Sequence, residues 1–314
     1  MTLPDSPPVM RREQSPGLEW PLLLTLAYAD VFDFPMTARE AHRYLIGRLA
    51  GLEEVAAALG MLARSSRIEL NEGHYSLPGR SHLIQVRRHR AAISTRLWKH
   101  ARRYGGLLAA LPFVRLVAVS GALALHNTDG AGDVDYFLVT APGRLWLARA
   151  MSVMIVRLAA RRGVTLCPNY LLTTPALALN DWNLFTAHEA VQMVPLAGHD
   201  LYRQLRSLNR WTDGYLPNAA GPPRPFPREP QRRWAFAWAE RAMQNPLFGR
   251  LEHWEMDRKV RKFGMMQQER AASANGRQEI AFGEDCCKGH LDYHGARTMR
   301  AFQTRVLALK EALA

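Results

Sequence analysis

Hydrophobic positions first recur at helical spacing where Leu22, Leu23, Leu26 and Ala29 line one side of a segment ending at Asp30. Asp33-Phe34-Pro35 breaks the pattern. Thr37, with Glu40 three residues on, forms the signature of a capping box and predicts a second helix to about residue 46. Val55, Leu59 and Leu62 share one face of a third helix over 53–63. Two short strands, 67–70 and 74–77, follow around Asn71-Glu72-Gly73, a hairpin signal. A long helix is predicted over 81–103, with Val86, Ile93 and Leu97 on its apolar stripe and Gly105-Gly106 closing it. Apolar runs at 116–119 and 136–139 read as strands, and so does 164–172. Between the last two, residues 142–162 place Leu145, Ala148, Ser152, Ile155 and Ala159 on a buried stripe. Residues 181–211 read as helical and 217–230 as a Pro-rich linker. Asn245-Pro246 opens a helix with Leu247, Leu251 and Trp254 inward, 283–290 reads as irregular, and Met299, Phe302, Val306 and Leu309 mark a final amphipathic helix.

The candidate chemistry lies at 117–139. An apolar run enters the small-residue turn Ser120-Gly121-Ala122, and twelve residues after Gly121 comes Asp133-Val134-Asp135, at the head of the next apolar run. On a strand, positions i and i+2 face the same way, so both carboxylates converge on one spot. Two carboxylates held together repel, and a divalent cation relieves that repulsion. Hard oxygen ligands suit Mg²⁺. A glycine turn lets backbone N–H groups approach a phosphate.

These residues resemble the DNA-polymerase-β-like nucleotidyltransferase superfamily. Its pattern is a hydrophobic run, a Gly-Ser or Gly-Gly turn, roughly ten residues, then Asp-x-Asp on a strand. Ala122 departs from that pattern at the second small residue. The resemblance implies an α+β fold with a mixed-sheet nucleotidyltransferase core and a reaction that moves an NMP from an NTP, ATP by default, to a hydroxyl acceptor with release of pyrophosphate. It implies Asp133 and Asp135 as catalytic metal ligands for Mg²⁺, and Ser120, Gly121 and Ala122 as nucleotide-binding. Arg149 and Lys288 are further candidates for contacts to phosphate. The superfamily draws a third carboxylate from the neighbouring strand, where this chain has Asn169. An asparagine oxygen can ligate a metal but carries no charge and is no general base. Glu189 or Asp181 filling in, a weakened site, and Asn169 as plain strand filler all stay open. Pro168 suggests an edge or a bulge.

The expected organisation is a disordered tail over 1–17, a winged-helix-like module over 18–80, a basic connecting helix over 81–106, the transferase-like core over 107–216, and a Pro-rich arm with a C-terminal helical region over 217–314. A winged helix reads nucleic acid with its third helix. Here that helix opens with Glu53 and Glu54 and has Arg64 only at its end, which favours a packing role. The alternative to the enzyme is therefore a non-catalytic winged-helix nucleic-acid-binding or regulatory protein on a degenerate transferase fold.

Charge adds one point. The net charge of +13 makes an anionic partner plausible without choosing among nucleic acid, nucleotide and acidic surface. The densest basic segment is 81–103; it could line a polyanion or triphosphate site, and a solvated helix face is its ordinary explanation. Three cysteines, two of them adjacent, form no disulfide framework and suggest a reducing compartment. Cys286, Cys287 and His290 invite a zinc reading that adjacent cysteines fit poorly. The N-terminus lacks the apolar core of a signal peptide, and 145–159 is interrupted by Arg149 and Arg157, so the expectation is a cytoplasmic protein with no membrane segment.

Overall fold

The computed structural model describes residues 17–130, 133–227, 234–271, 281–289 and 294–312. The tail forecast for 1–17 falls outside them up to residue 16, as does His290. The architecture is α+β, and its largest sheet is six-stranded and mixed.

The N-terminal helices α1 (Glu19–Asp30), α2 (Ala38–Arg43) and α3 (Leu52–Arg64) precede the hairpin β1 (Glu69–Asn71) and β2 (His74–Ser76). The capping box forms: Thr37 Oγ1 accepts from the Glu40 amide, and Glu40 Oε2 accepts from the Thr37 amide at 2.8 Å. Asn71 pairs with His74 across Glu72 and Gly73, both at positive φ, which is the two-residue turn that matches strand twist.

Helix α4 (Leu83–Ala109) crosses from this module to the sheet. It runs through Gly105 and Gly106, which were expected to end it. The reason is packing. A Cβ at Gly105 would overlap Leu196 Cδ1 and meet Tyr136 Cε1 at 3.4 Å, so the glycine lets helix and sheet approach.

The sheet comprises β3 (Val114–Val119), β4 (Val134–Thr140), β5 (Leu166–Thr173), β6 (Val194–Ala197), β7 (Ala281–Phe282) and β8 (Cys286–Lys288). Their order is β6-β3-β4-β5-β8-β7. Among the described strands only β4 and β5 run parallel. They are joined by α6 (Leu145–Ala160), the crossover helix a parallel pair requires. The short α5 (Gly121–Ala124) follows β3, and α7 (Leu184–Gln192) and α8 (His199–Leu208) flank β6. Strand β6 corrects the all-helical reading of 181–211. It carries Pro195, tolerated because β6 is an edge strand whose register slips at that point. Strand β8 likewise corrects the irregular reading of 283–290, since order there comes from pairing with β5 on one side and β7 on the other.

One sheet face, through Ala118, Phe137 and Leu172, shares an apolar core with α1–α3, α7 and α8 and with Phe302 and Val306 of α11 (His294–Ala312). The other face, through Val117, Tyr136 and Leu138, packs on α4 and α6. Beyond the Pro-rich arm lie α9 (Trp234–Ala242) and α10 (Pro246–Ala271). Here the expected polarity is inverted: Leu247 is 65% and Trp254 56% exposed, with Leu251 also outward, while Glu252 and Glu255 are buried. Glu252 explains the inversion. Its carboxylate accepts the Trp146 and Leu147 amides at 2.7 and 2.8 Å, capping α6, whose own N-cap residue Arg144 supplies no cap. Among the described residues no helix is long and apolar enough to cross a membrane.

Candidate functional site

The site forms where β3 ends and β4 begins. Val119 pairs with Tyr136, and the Ser120 amide donates to the Asp135 carbonyl at 3.0 Å, which fixes the turn against the acid-bearing strand. Phe137 lies in the core with α1–α3, and Asp135, two residues earlier, faces the same way. Gly121 has φ +61°, a left-handed conformation that side chains resist. A Cβ there would also overlap Asp135 Oδ2 and lie 3.0 Å from its Cγ. The glycine is therefore needed twice, for the turn and for the carboxylate resting on it. Ala122 follows, exposed, with its carbonyl accepting the Asn127 amide.

Strand β5 supplies the other wall. Asp135 pairs with Cys167 and Tyr136 with Pro168, but Phe137 pairs with Tyr170, so Asn169 is the extra residue of a bulge. This is the bulge that Pro168 announced. Asn169 is buried and its Nδ2 donates to Asp135 Oδ1 at 2.8 Å. The amide holds Asp135 in place and is engaged by it. Ligand atoms of Asp133, Asp135 and Cys167 lie within 4.8 Å of one another. Cys167 was not anticipated. Its only signal was its place two residues before Asn169 on a predicted strand.

The electrostatics are those of an acid cluster short of cations. Asp135 is pushed up to about 8, first by burial and then by the charges of Asp133 and Glu189, with the Asn169 hydrogen bond pulling the other way. Glu189 on α7 is pushed up to about 7 by burial, against the pull of Lys288. The Cys167 thiol is raised by burial and by the two aspartates. Lys288 lies on the same side of the sheet, but its ammonium is bonded to Asp181 at 2.7 Å and sits 5.5 Å from the Tyr170 ring centroid. Arg149 lies on α6, and its charge reaches the thiols of Cys287 and Cys167. Ser120, Gly121, Asp133, Asp135 and Asn169 are thus gathered together, Lys288 is a neighbour already paired, and Arg149 comes in from the helix side.

Two carboxylates on one spot, with little compensation, suit a divalent cation, and their hard oxygens fit Mg²⁺. The Cys167 sulfur is a softer ligand that Mg²⁺ does not use. The zinc reading of the adjacent cysteines gains nothing: Cys287 joins the core under α6, whereas Cys286 packs against the opposite one. Comparison with protein-family models, with curated proteins and with solved structures finds no match for this chain.

Proposed function

We propose that the chain is a Mg²⁺-dependent nucleotidyltransferase of the DNA-polymerase-β-like type, with a winged-helix-like module at its N-terminus. The observation that carries this reading is the interlock of Gly121 and Asp135. The Asp135 carboxylate rests where a Cβ on the left-handed turn would stand, so turn and acid pack as a single unit, which supports a site for a metal-bound triphosphate. A mixed sheet with the acids at the mouth of β4, beside a parallel β5, supports it.

In this reading Asp133 and Asp135 would hold Mg²⁺, and the bound cation would supply charge neutralisation for the phosphoryl group and for pyrophosphate. Asn169 keeps Asp135 in the rotamer that faces the turn. The backbone of Ser120 and Gly121 orients the β- and γ-phosphates, so the chain contributes by positioning and by fixed dipoles. Glu189 adds negative potential next to the acids and raises the benefit of a bound cation. A hydroxyl of the acceptor attacks the α-phosphate in line, loses its proton to solvent, and pyrophosphate leaves.

The second reading, a non-catalytic nucleic-acid-binding or regulatory protein, is favoured by one observation: β5 presents Cys167 and Asn169 where a third carboxylate would stand. Pyrophosphate release across the four NTPs with Mg²⁺ separates the two. The enzyme reading expects release that Asp133→Asn and Asp135→Asn each abolish in a folded protein. Undiminished release from the double variant would sink it.

A further inference from the structure

Helix α4 contains seven Lys and Arg residues and no Asp or Glu. They divide into two groups. Arg87, Arg88 and Arg90 pair with Glu40, Glu72 and Asp33, and so tie α4 to the N-terminal module. The next four, Arg96, Lys99, Arg102 and Arg103, are exposed, and none pairs with a carboxylate among the described residues. Arg96, Lys99 and Arg103 stand at i, i+3 and i+7, a single stripe about 10 Å long at the helical rise.

A second group of cations joins this stripe. The guanidinium carbons of Arg102 and Arg224 lie 5.8 and 4.8 Å from the Trp98 ring centroid, and the His126 ring stacks 6.0 Å away. Arg224 comes from the Pro-rich arm and is anchored on the Ala124 carbonyl. His126 holds φ +56°, a conformation that costs energy for any side chain with a Cβ and that clusters at functional sites. Burial, then Arg224 and Arg102, push His126 down to about 4. Three cationic or potentially cationic groups thus meet on one indole without a carboxylate among them. An anion placed there would offset the mutual repulsion of Arg102 and Arg224.

We propose that the second half of α4, with Arg224 and His126, binds the phosphodiester backbone of a nucleic-acid strand. A lone phosphate would satisfy the cluster at Trp98 and leave the stripe unused, whereas a strand supplies repeated negative charge along both. A membrane surface fits less well, because Ala92, Thr95 and His100 lie beside the stripe and Leu107 alone offers a large exposed apolar side chain along it. The binding face is therefore α4 and not α3, which presents Glu53 and Glu54. Residues 128–130 meet α4 about one turn before Arg96, where the Thr128 amide donates to Ser94 Oγ and Gly130 packs on Ile93. The inference stands on these cations alone and does not require Asp133 or Asp135 to hold a metal.

The test is fluorescence anisotropy of the full chain with a labelled single-stranded oligonucleotide, titrated against salt. Lys99→Glu/Arg103→Glu should weaken binding by at least about tenfold and reduce the salt slope by about 1–2. Lys99→Gln/Arg103→Gln, which keeps the helix without charge reversal, should fall between it and the wild type. Arg64→Glu at the end of α3 should change nothing. Wild-type affinity and slope in the reversed variant would overturn the proposal. So would a larger loss from Arg64→Glu, or tighter binding of wild type to phosphatidylserine vesicles than to the oligonucleotide.

Discussion

Replacing Gly121 by alanine tests the interlock at the heart of the site. The new Cβ must adopt φ +61°, which costs about 1–2 kcal/mol for a residue other than glycine. It also overlaps Asp135 Oδ2. Turning that side chain off its rotamer costs about 1 kcal/mol. Breaking the 2.8 Å bond from Asn169 to a carboxylate costs about 2 kcal/mol more. Gly121→Ala should therefore destabilise the protein by about 4–5 kcal/mol. In an Asp135→Ala background the obstructing carboxylate is gone and only the backbone cost of about 1–2 kcal/mol remains. The assay is a double-mutant cycle by urea denaturation with a metal chelator present. The expected coupling is about 3 kcal/mol. Additivity within about 0.5 kcal/mol would refute the claim that turn and acid occupy the same space.

Three further outcomes follow from the same geometry. Glu252→Ala should cost about 2 kcal/mol in urea denaturation, because the Trp146 and Leu147 amides lose the carboxylate that caps them in a buried place. In chelator, stability should fall as pH rises from about 4 to about 8, since folded Asp135 and Glu189 keep protons that the unfolded chain gives up. Asp135→Asn should flatten that decline by up to about 1.4 kcal/mol per pH unit, read by denaturation at several pH values. Asn169→Asp replaces a donor to Asp135 with a third carboxylate, so it should lower the melting temperature in chelator and enlarge the upward shift caused by Mg²⁺. Equal Mg²⁺ shifts in both proteins would tell against a metal there.

Much of this could be read from local spacing. The Thr37–Glu40 box, the Asn71–Gly73 hairpin, the bulge at Pro168 and the glycine turn ahead of Asp133 and Asp135 each depend on a few neighbouring residues. What escaped depends on partners far along the chain. Strand β8 exists because β5 offers it an edge, and its own residues, two cysteines and a lysine, signal nothing. The orientation of α10 is set by Glu252 capping a helix about a hundred residues earlier, and this outweighs the apolar spacing of Leu247, Leu251 and Trp254. Gly105 looks like a stop until Leu196 is seen against it. Cys167 became a site residue only through the parallel register that sets it beside Asp135. The basic helix was legible as charge, but its division into paired and unpaired halves required Glu40, Glu72 and Asp33 to be placed.

The central claim is that the Gly121 turn and the Asp133–Asp135 pair hold a Mg²⁺-bound nucleoside triphosphate, and calorimetry tests it without knowledge of the acceptor. Each of the four NTPs is titrated into the wild type and into Asp133→Asn/Asp135→Asn, with Mg²⁺ and again with chelator. The account predicts that at least one NTP binds the wild type only when Mg²⁺ is present, and that the folded double variant does not bind it. Absence of binding for all four with Mg²⁺, or the same affinity in the double variant, would contradict it.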